Sequence, residues 1–337
     1  MTKIALNGFG RIGRNAFKIM HQRNVQIEFI NDLTDAHTLA YLLKHDSVHR
    51  SFNADIKSTD NSIIVNGREI PVFAEKDPTK LPSKNIDLMI EGTGVFTSRE
   101  KMSLHLQAGA KKALLTAPAK DEIDATIVMG VNDSELKSEH RLISNASCTT
   151  NCLAPLAFIL EKEFGIISGF MNTAHSYTND QNLLDLPHKN LRRARAAAIN
   201  IVPSSTGAAK TIGLIIPELK GKLDGLALRV PTPDGSIVDL TCNLKTAVTS
   251  AEVNQAFQKW AENSEMSSYL SYNLEEIVSS DILGSSYSCI FDSTLTQVIA
   301  TDSDTKRGTL VKVLGWYDNE WGYSNRTVDL ATRILSL

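Results

Sequence analysis

Close to the N-terminus an apolar run at residues 2–7 ends in Asn7, and Gly8-Phe9-Gly10-Arg11-Ile12-Gly13 then turns the chain into a helix that reaches about His21. A second strand candidate, Gln26–Asn31, follows and stops at Asp32. Strand, glycine-rich turn, helix and strand in that order make the first half of a dinucleotide-binding unit. Gly8 makes the tight turn, Gly10 lets backbone approach a pyrophosphate, and Gly13 allows close helix–sheet contact. The phosphates then rest on the helix N-terminus near Arg11, where amide donors and the helix dipole favour negative charge. Glycines at this spacing occur by chance at many turns; the strand before them and the acid nineteen residues past Gly13 give the pattern its weight. Asp32 can accept both hydroxyls of an adenosine ribose and would repel a 2'-phosphate, so NAD is expected over NADP. A solvated acid or an N-cap is the alternative reading.

The same rhythm continues. Thr38–Lys44 reads as a helix, and Ser62–Val72 as a hairpin about Asn66-Gly67. Asp87–Glu91 is an apolar strand, Ser98–Ala108 a helix closed by Gly109, and Ala113–Thr116 another strand. Thr126–Val131 and Leu142–Ser144 are the last strands before residue 148. Strands alternating with helices, several apolar throughout, argue for a parallel sheet covered on both faces.

Past residue 150 the texture changes. A helix from about Thr149 to Phe164 contains Pro155, which predicts a kink or a late start. Strand candidates at Ile167–Ala174, Gly225–Val230, Ile237–Leu244, Gln297–Ala300 and Leu310–Tyr317 read as antiparallel, with a helix near Ala251–Glu262 among them. Residues 178–200 are polar, basic and long for an idle loop. Thr301–Gly308 reads as a charged surface turn and Arg326–Ile334 as a final helix. The expected fold is therefore α/β: an N-terminal dinucleotide-binding (Rossmann) parallel sheet over residues 1–148, then a second α+β domain over 149–319 with a mostly antiparallel sheet.

A chain of 337 residues is comfortable for two domains. Its net charge of -3 supplies no broad basic field, so no dedicated nucleic-acid or membrane partner is expected. The opening MTKIALNGFG lacks the basic, apolar and small-residue regions of a signal peptide, which predicts a cytoplasmic protein. Four cysteines are too few to staple a chain this size, so each is read as a free thiol in a reducing compartment.

Two of those thiols stand in Ser147-Cys148-Thr149-Thr150-Asn151-Cys152, at the start of the second domain's first helix. The dipole there stabilises a thiolate and lowers a cysteine pKa. Cys148 is read as a nucleophile and Cys152, one turn on, as an inert neighbour; a disulfide or metal pair is the alternative. His175 ends a strand and titrates near neutrality when unperturbed, which suits a base for Cys148. A satisfied structural histidine is the bland reading. Lys189, Arg192, Arg193 and Arg195 follow, with Thr206, Gly207 and Arg229 further on, a supply of forks and hydroxyls for phosphate oxygens. A solvated basic face or a subunit contact is the alternative for some of the arginines. The histidines lack ligand spacing, and no metal site is expected.

Taken together, NGFGRIGR at 7–14, NDLTD at 31–35, EGTGVFTSRE at 91–100, SNASCTTNCLAP at 144–155, HSYTNDQ at 175–181, LPHKNLRRARAAA at 186–198, STGAAK at 205–210, RVPTPDGS at 229–236 and WYDNEWGYSNR at 316–326 resemble the phosphorylating glyceraldehyde-3-phosphate dehydrogenase family over essentially the whole chain. The resemblance implies oxidation of glyceraldehyde 3-phosphate with NAD and inorganic phosphate through a thioester, Cys148 being nucleophile and His175 base. It implies NAD contacts from Asn7, Gly8, Gly10, Arg11, Ile12, Gly13, Asp32, Lys76, Thr116 and Asn319. Ser147, Thr149, Thr206 and Gly207 match one phosphate site, with Arg193 beside them; Thr178, Asp180 and Arg229 match the other. It further implies a homotetramer and a last helix, about 320–337, that packs back on the first domain. Lys76 stands where Arg is common, Asn172 and Ala174 where Thr and Val are, and the Thr301–Gly308 turn is longer than usual. Erythrose-4-phosphate dehydrogenase shares the Cys–His pair but departs around 178–180 and 205–210, where this chain keeps the glyceraldehyde-3-phosphate pattern. A binding or scaffolding protein on the same fold is the reading from another class, against which both Cys148 and His175 are retained.

Overall fold

β1 (Ile4–Asn7) is buried at every residue, and α1 (Arg11–Gln22) and β2 (Ile27–Asn31) follow it. The structure, a computed structural model, describes residues 2–262, 265–302 and 304–337. They fall into two units: one up to Ile127 with Ser134–Ala146 and Ser324–Leu337, the other Val128–Asp133 with Ser147–Tyr323.

The first unit continues through α2 (Ala36–Lys44), β3 (Ile56–Thr59), β4 (Ser62–Val65), β5 (Arg68–Phe73), β6 (Leu88–Glu91), α3 (Arg99–Gln107), β7 (Lys112–Leu115), β8 (Ala125–Thr126) and β9 (Leu142–Ser144). Its sheet runs β3-β4-β5-β2-β1-β6-β7-β9-β8. β3, β4 and β5 pair antiparallel, Asn66 and Gly67 turning between the last two with φ of 51° and 80°. From β5 onward every pair is parallel. This is the Rossmann sheet expected from the sequence. Because β1 lies between β2 and β6, the strand order reverses there, and a ligand crevice opens outside the carboxyl ends of such strands.

The second unit holds α4 (Cys148–Phe164), β10 (Ile166–Ser176), β11 (Val202–Ser205), α5 (Ala208–Ile215), β12 (Leu223–Val230), β13 (Ser236–Val248), α6 (Ser250–Glu262), β14 (Leu270–Asn273), β15 (Cys289–Asp292), β16 (Gln297–Ile299) and β17 (Gly308–Tyr317). Its sheet runs β11-β12-β10-β13-β17-β15-β14, with β16 on β17. Most neighbours are antiparallel as expected, but β10–β12 and β14–β15 are parallel. The loop after β10, with β11 and α5, is a connection long enough to return the chain in the same direction.

Three local expectations change. The strand placed at Thr126–Val131 shrinks to Ala125–Thr126, because Asn132 and Asp133 side chains accept from the Val128 and Gly130 amides and close turns instead. α4 begins at Cys148 and is unbroken across Pro155; a proline removes one bond from a helix that packs against β13, β17 and β15, and the packing prevails. The last helix, α7 (Trp321–Leu335), starts earlier than Arg326 because the Asp318 carboxylate accepts from the Glu320 and Trp321 amides. Within the Thr301–Gly308 turn, Ser303 lies outside the described residues, and Asp302 accepts from the Asp304 and Thr305 amides. Among the described residues, no helix is long and apolar enough to cross a membrane.

Candidate active site

Ser147 caps α4, its hydroxyl oxygen accepting from the Thr150 amide at 3.0 Å. Ala146 before it has φ of 53°, a left-handed conformation uncommon for alanine that turns the chain sharply into the helix. Cys148 is thereby the first helical residue, half-buried, with Sγ 3.4 Å from His175 Nε2. His175 lies near the end of β10, where its parallel register with β12 sets Arg229 alongside. Its Nδ1 is 2.8 Å from the Ser176 carbonyl oxygen and 2.6 Å from Arg229 Nη1, which also reaches that carbonyl at 3.2 Å.

The electrostatics differ from the sequence expectation of a thiol lowered by the helix dipole. Burial pushes the Cys148 thiol up, more than the Arg229 charge and the Thr149 amide pull it down. His175 is pushed down to about 3, by burial first and the Arg229 charge second. Cys152 is buried, with its Sγ–H directed at the Gly315 carbonyl at 3.4 Å, and burial raises its thiol well above the usual range.

The polar groups expected at the phosphate sites are partly committed to one another. Arg193 pairs with Asp180 at 2.5 Å and holds the Ser204 hydroxyl at 2.7 Å, while the Thr178 hydroxyl donates to Asp180. Arg193 thus joins the Thr178–Asp180 group, whereas the sequence reading grouped it with Ser147 and Thr206. The Thr149 hydroxyl meets the buried Tyr317 hydroxyl at 3.0 Å, and Thr173 meets the same hydroxyl at 2.9 Å. Thr206 is half-buried and Gly207 exposed at the start of α5. Asn319 accepts from the Ser176 and Ser236 hydroxyls at 2.9 and 2.6 Å, which leaves its amide NH2 as a donor.

In the first unit, the glycine turn fits a dinucleotide. Gly8 has φ of 95°, and a Cβ there would stand 2.7 Å from the Gly92–Thr93 backbone; one on Gly13 would stand 2.2 Å from the Gly8 carbonyl oxygen. A Cβ on Gly10 would meet nothing within 4 Å, so the side facing the α1 N-terminus is open, and no side chain caps that helix. Asp32 is half-buried and accepts from the Phe9 and Thr34 amides at 2.8 and 3.0 Å. Thr116 is half-buried just past β7, and Lys76 is exposed. The Arg11 guanidinium pairs with Asp46 at 3.1 Å.

Sequence reasoning missed Asp46 and Glu91. Burial pushes the Asp46 carboxyl up, but the His49 and Val48 amides and Arg11 outweigh it, leaving it well below the usual range. Glu91 is fully buried and accepts from Asn7 Nδ2 at 2.5 Å, the Thr93 amide at 2.7 Å and the Thr93 hydroxyl, with His105 Nε2 at 2.8 Å. Asn7 Oδ1 in turn accepts from Asn31, which exchanges bonds with the Glu75 backbone. The network ties together the carboxyl ends of β1, β2 and β6. A charged residue closing an otherwise apolar strand was the signal available for Glu91.

The glyceraldehyde 3-phosphate dehydrogenase NAD-binding domain family model matches residues 2–99, and the C-terminal domain model of the same family matches residues 147–319. The chain is 56% identical to the glyceraldehyde-3-phosphate dehydrogenase of Thermotoga maritima, over 100% of both chains. It belongs to the glyceraldehyde 3-phosphate dehydrogenase family. Identity to the Borreliella burgdorferi member is 54% over 99% of each chain, and to the Geobacillus stearothermophilus member 53% over 99% of this chain and 98% of that one. As a family member it is an NAD-dependent dehydrogenase of the phosphorylating kind, and NAD is its cofactor.

Proposed function

We propose that the chain oxidises D-glyceraldehyde 3-phosphate to 1,3-bisphosphoglycerate with NAD and inorganic phosphate, through a thioester on Cys148. The observation that carries this is the 3.4 Å approach of Cys148 Sγ to His175 Nε2 at a helix start, beside Arg229 and the Arg193 group.

His175 takes the Cys148 proton, the sulfur adds to the aldehyde carbon, and the imidazolium returns that proton to the carbonyl oxygen to give a hemithioacetal with His175 neutral again. His175 then holds the hydroxyl proton as the carbon–hydrogen bond breaks, leaving a thioester. NAD, when bound, accepts the hydride. Inorganic phosphate attacks the thioester carbon, the C–S bond breaks, and the acyl phosphate leaves with Cys148 reprotonated from His175. Two anion sites serve this scheme, since the substrate carries one phosphate and the attacking group is another: Ser147, Thr149, Thr206 and Gly207 for one, Thr178, Asp180 and Arg229 for the other, with Arg193 between Asp180 and Ser204.

Residues 1–148 serve as the NAD domain in this reading, through Asn7, Gly8, Gly10, Arg11, Ile12, Gly13, Asp32, Lys76 and Thr116; residues 149–319 carry the chemistry, with the Asn319 NH2 directed to the nicotinamide amide. The enzyme works in the cytoplasm as a homotetramer; Leu183, Leu184, Leu186, Leu191, Ile199 and Ile201, all exposed on one long loop, support self-association. NADH absorbance followed with glyceraldehyde 3-phosphate or erythrose 4-phosphate, with and without phosphate, tests the reading. Phosphate-dependent turnover preferring the three-carbon substrate is expected; preference for erythrose 4-phosphate, or indifference to phosphate, would overturn it.

A further inference from the structure

The last turn of α1 and the β4–β5 hairpin leave a small cleft between them at the amino end of β2, the end opposite the nucleotide turn. Its floor is apolar: Phe17, Ile27, Val65 and Ile70 are all buried. Asn24, Gln26 and Asn66 stand exposed at the rim, and His21, Val25 and Arg68 form half-buried walls. Two left-handed asparagines build this cup. Asn24, with φ of 58°, stops α1 just past its C-cap, and Asn66 with Gly67 closes the hairpin turn that sets Arg68 opposite Val65. The His21 ring lies nearly parallel to Phe17 and edge-on to Phe52, which fixes it in the wall.

No acid lines the cleft, and Arg68 gives it a permanent positive charge. One terminal nitrogen of Arg68 donates to the Ile27 carbonyl at 3.0 Å, and among the described residues no carboxylate pairs with the guanidinium, so its other donors stay available to a ligand. A helix C-terminus ordinarily disfavours an anion, but the last carbonyls of α1 are already engaged: Met20 accepts from the Val25 amide at 2.8 Å and His21 from the Asn24 amide at 3.1 Å. Asn66 Oδ1 accepts from the Asp55 amide at 2.9 Å, which turns the Asn66 NH2 toward His21 Nε2 at 3.1 Å. Nε2 therefore accepts, and Nδ1 carries the ring proton as a further donor. The Asp55 carboxylate is itself held by Lys57 at 3.1 Å.

We propose that this cleft is a binding site for a small amphipathic carboxylate, with the oxyanion on Arg68 and the rim amides and the apolar body on the floor. The cleft encloses about 210 Å³, less than the roughly 300 Å³ at which pockets begin to hold drug-sized ligands, so its ligand is of benzoate's size. Bare phosphate would leave the floor uncovered, and a neutral ring would leave the guanidinium without its charge-assisted partner; a carboxylate on an apolar body satisfies both. The site is separate from the one that performs the proposed reaction. α1 has 12 residues, about 18 Å of helix, between the glycine turn and the cleft, so this ligand and NAD occupy opposite ends of one helix.

Benzoate is the probe, titrated into the full-length protein by ligand-observed NMR with saturating NAD and inorganic phosphate present, so that the nucleotide crevice and the phosphate-binding groups are filled. Benzoate should bind saturably, with a Kd on the order of a millimolar, and benzamide, its neutral counterpart, about tenfold more weakly. Arg68→Gln removes the charge and keeps a donor for the Ile27 carbonyl; benzoate should then bind about tenfold more weakly, while dehydrogenase turnover holds the wild-type rate. No saturable binding to the wild type would overturn the proposal, and so would benzamide binding as tightly as benzoate; both are read without any variant, so a misfolded Arg68→Gln protein cannot hide them. Unchanged benzoate affinity in a folded Arg68→Gln protein would place the carboxylate elsewhere and sink the site.

Discussion

The Asp32 carboxylate accepts the Phe9 amide hydrogen at 2.8 Å, so the acid that closes β2 also holds the glycine turn after β1. Two effects should therefore separate on mutation. Asp32→Asn keeps an oxygen for the Phe9 amide and removes the charge that repels a 2'-phosphate; the NAD over NADP ratio of kcat/KM should fall about tenfold with little loss of NAD affinity. Asp32→Gly removes the anchor as well, and NAD affinity should fall with the ratio. If both variants bind NAD equally well, the Phe9 contact has no bearing on the cofactor.

Glu91 is surrounded by donors: Asn7 Nδ2, the Thr93 amide, the Thr93 hydroxyl and His105 Nε2. Glu91→Gln turns an NH2 toward either Asn7 Nδ2 or the Thr93 amide, each of which can only donate, at about 1–3 kcal/mol for the buried mismatch. The loops at the carboxyl ends of β1 and β6 should loosen, and the dissociation constant for NAD, measured by calorimetry, should rise about tenfold or more. His105→Gln retains a donor toward Glu91 and should lie much nearer the wild type. Unchanged NAD binding in Glu91→Gln would mean that the network holds the fold and has no part in shaping the nucleotide crevice.

Much of this was legible before any coordinates. The glycine turn, Asp32, Cys148 and His175 each carry a chemistry that narrows residue choice, so composition and position reveal them. The Asn66-Gly67 hairpin was legible for the same reason, since its turn needs positive φ. What stayed hidden depends on partners remote in sequence. Glu91 carries no chemistry of its own that marks it in the sequence and acquires its meaning from Asn7, His105 and Asn31. The raised Cys148 thiol reflects burial, which a helix-start argument does not weigh. β11 escaped because Pro203 interrupts a run of four, and the β10–β12 pairing because parallel register is set by the crossover.

Cys148 and His175 should fail in different ways. Cys148→Ser replaces the nucleophile with an alcohol that this histidine activates poorly, so dehydrogenase turnover should disappear while NAD binding persists. His175→Asn should lower single-turnover hydride transfer by about two to four decades, the scale of general acid–base help, with the thiol still present for alkylation. Full turnover in Cys148→Ser would reject the thioester route. A His175→Asn protein with the wild-type rate would take the base away from His175.

Asp234 makes a prediction about stability and pH. It is buried beside Asp318, and burial followed by the Asp318 and Glu320 charges pushes its carboxyl up from the ordinary 3.8 to about 9. Between those values the folded chain keeps a proton that the unfolded chain has shed, so each rise in pH across the window favours unfolding. Stability from this group is greatest below pH 4 and is lost as pH climbs toward 9. Asp234→Asn removes the titration, and its side-chain oxygen can still accept from the Gly235 amide, as Asp234 does at 2.8 Å, while its NH2 faces Asp318. The variant should therefore gain on the wild type as pH rises, by about 1–3 kcal/mol near pH 9, the scale of a poorly accommodated buried polar group. Melting curves recorded from pH 5 to 9 should diverge in that direction. Parallel curves would show that Asp234 is already ionised in the folded chain, with its charge neutralised by its surroundings.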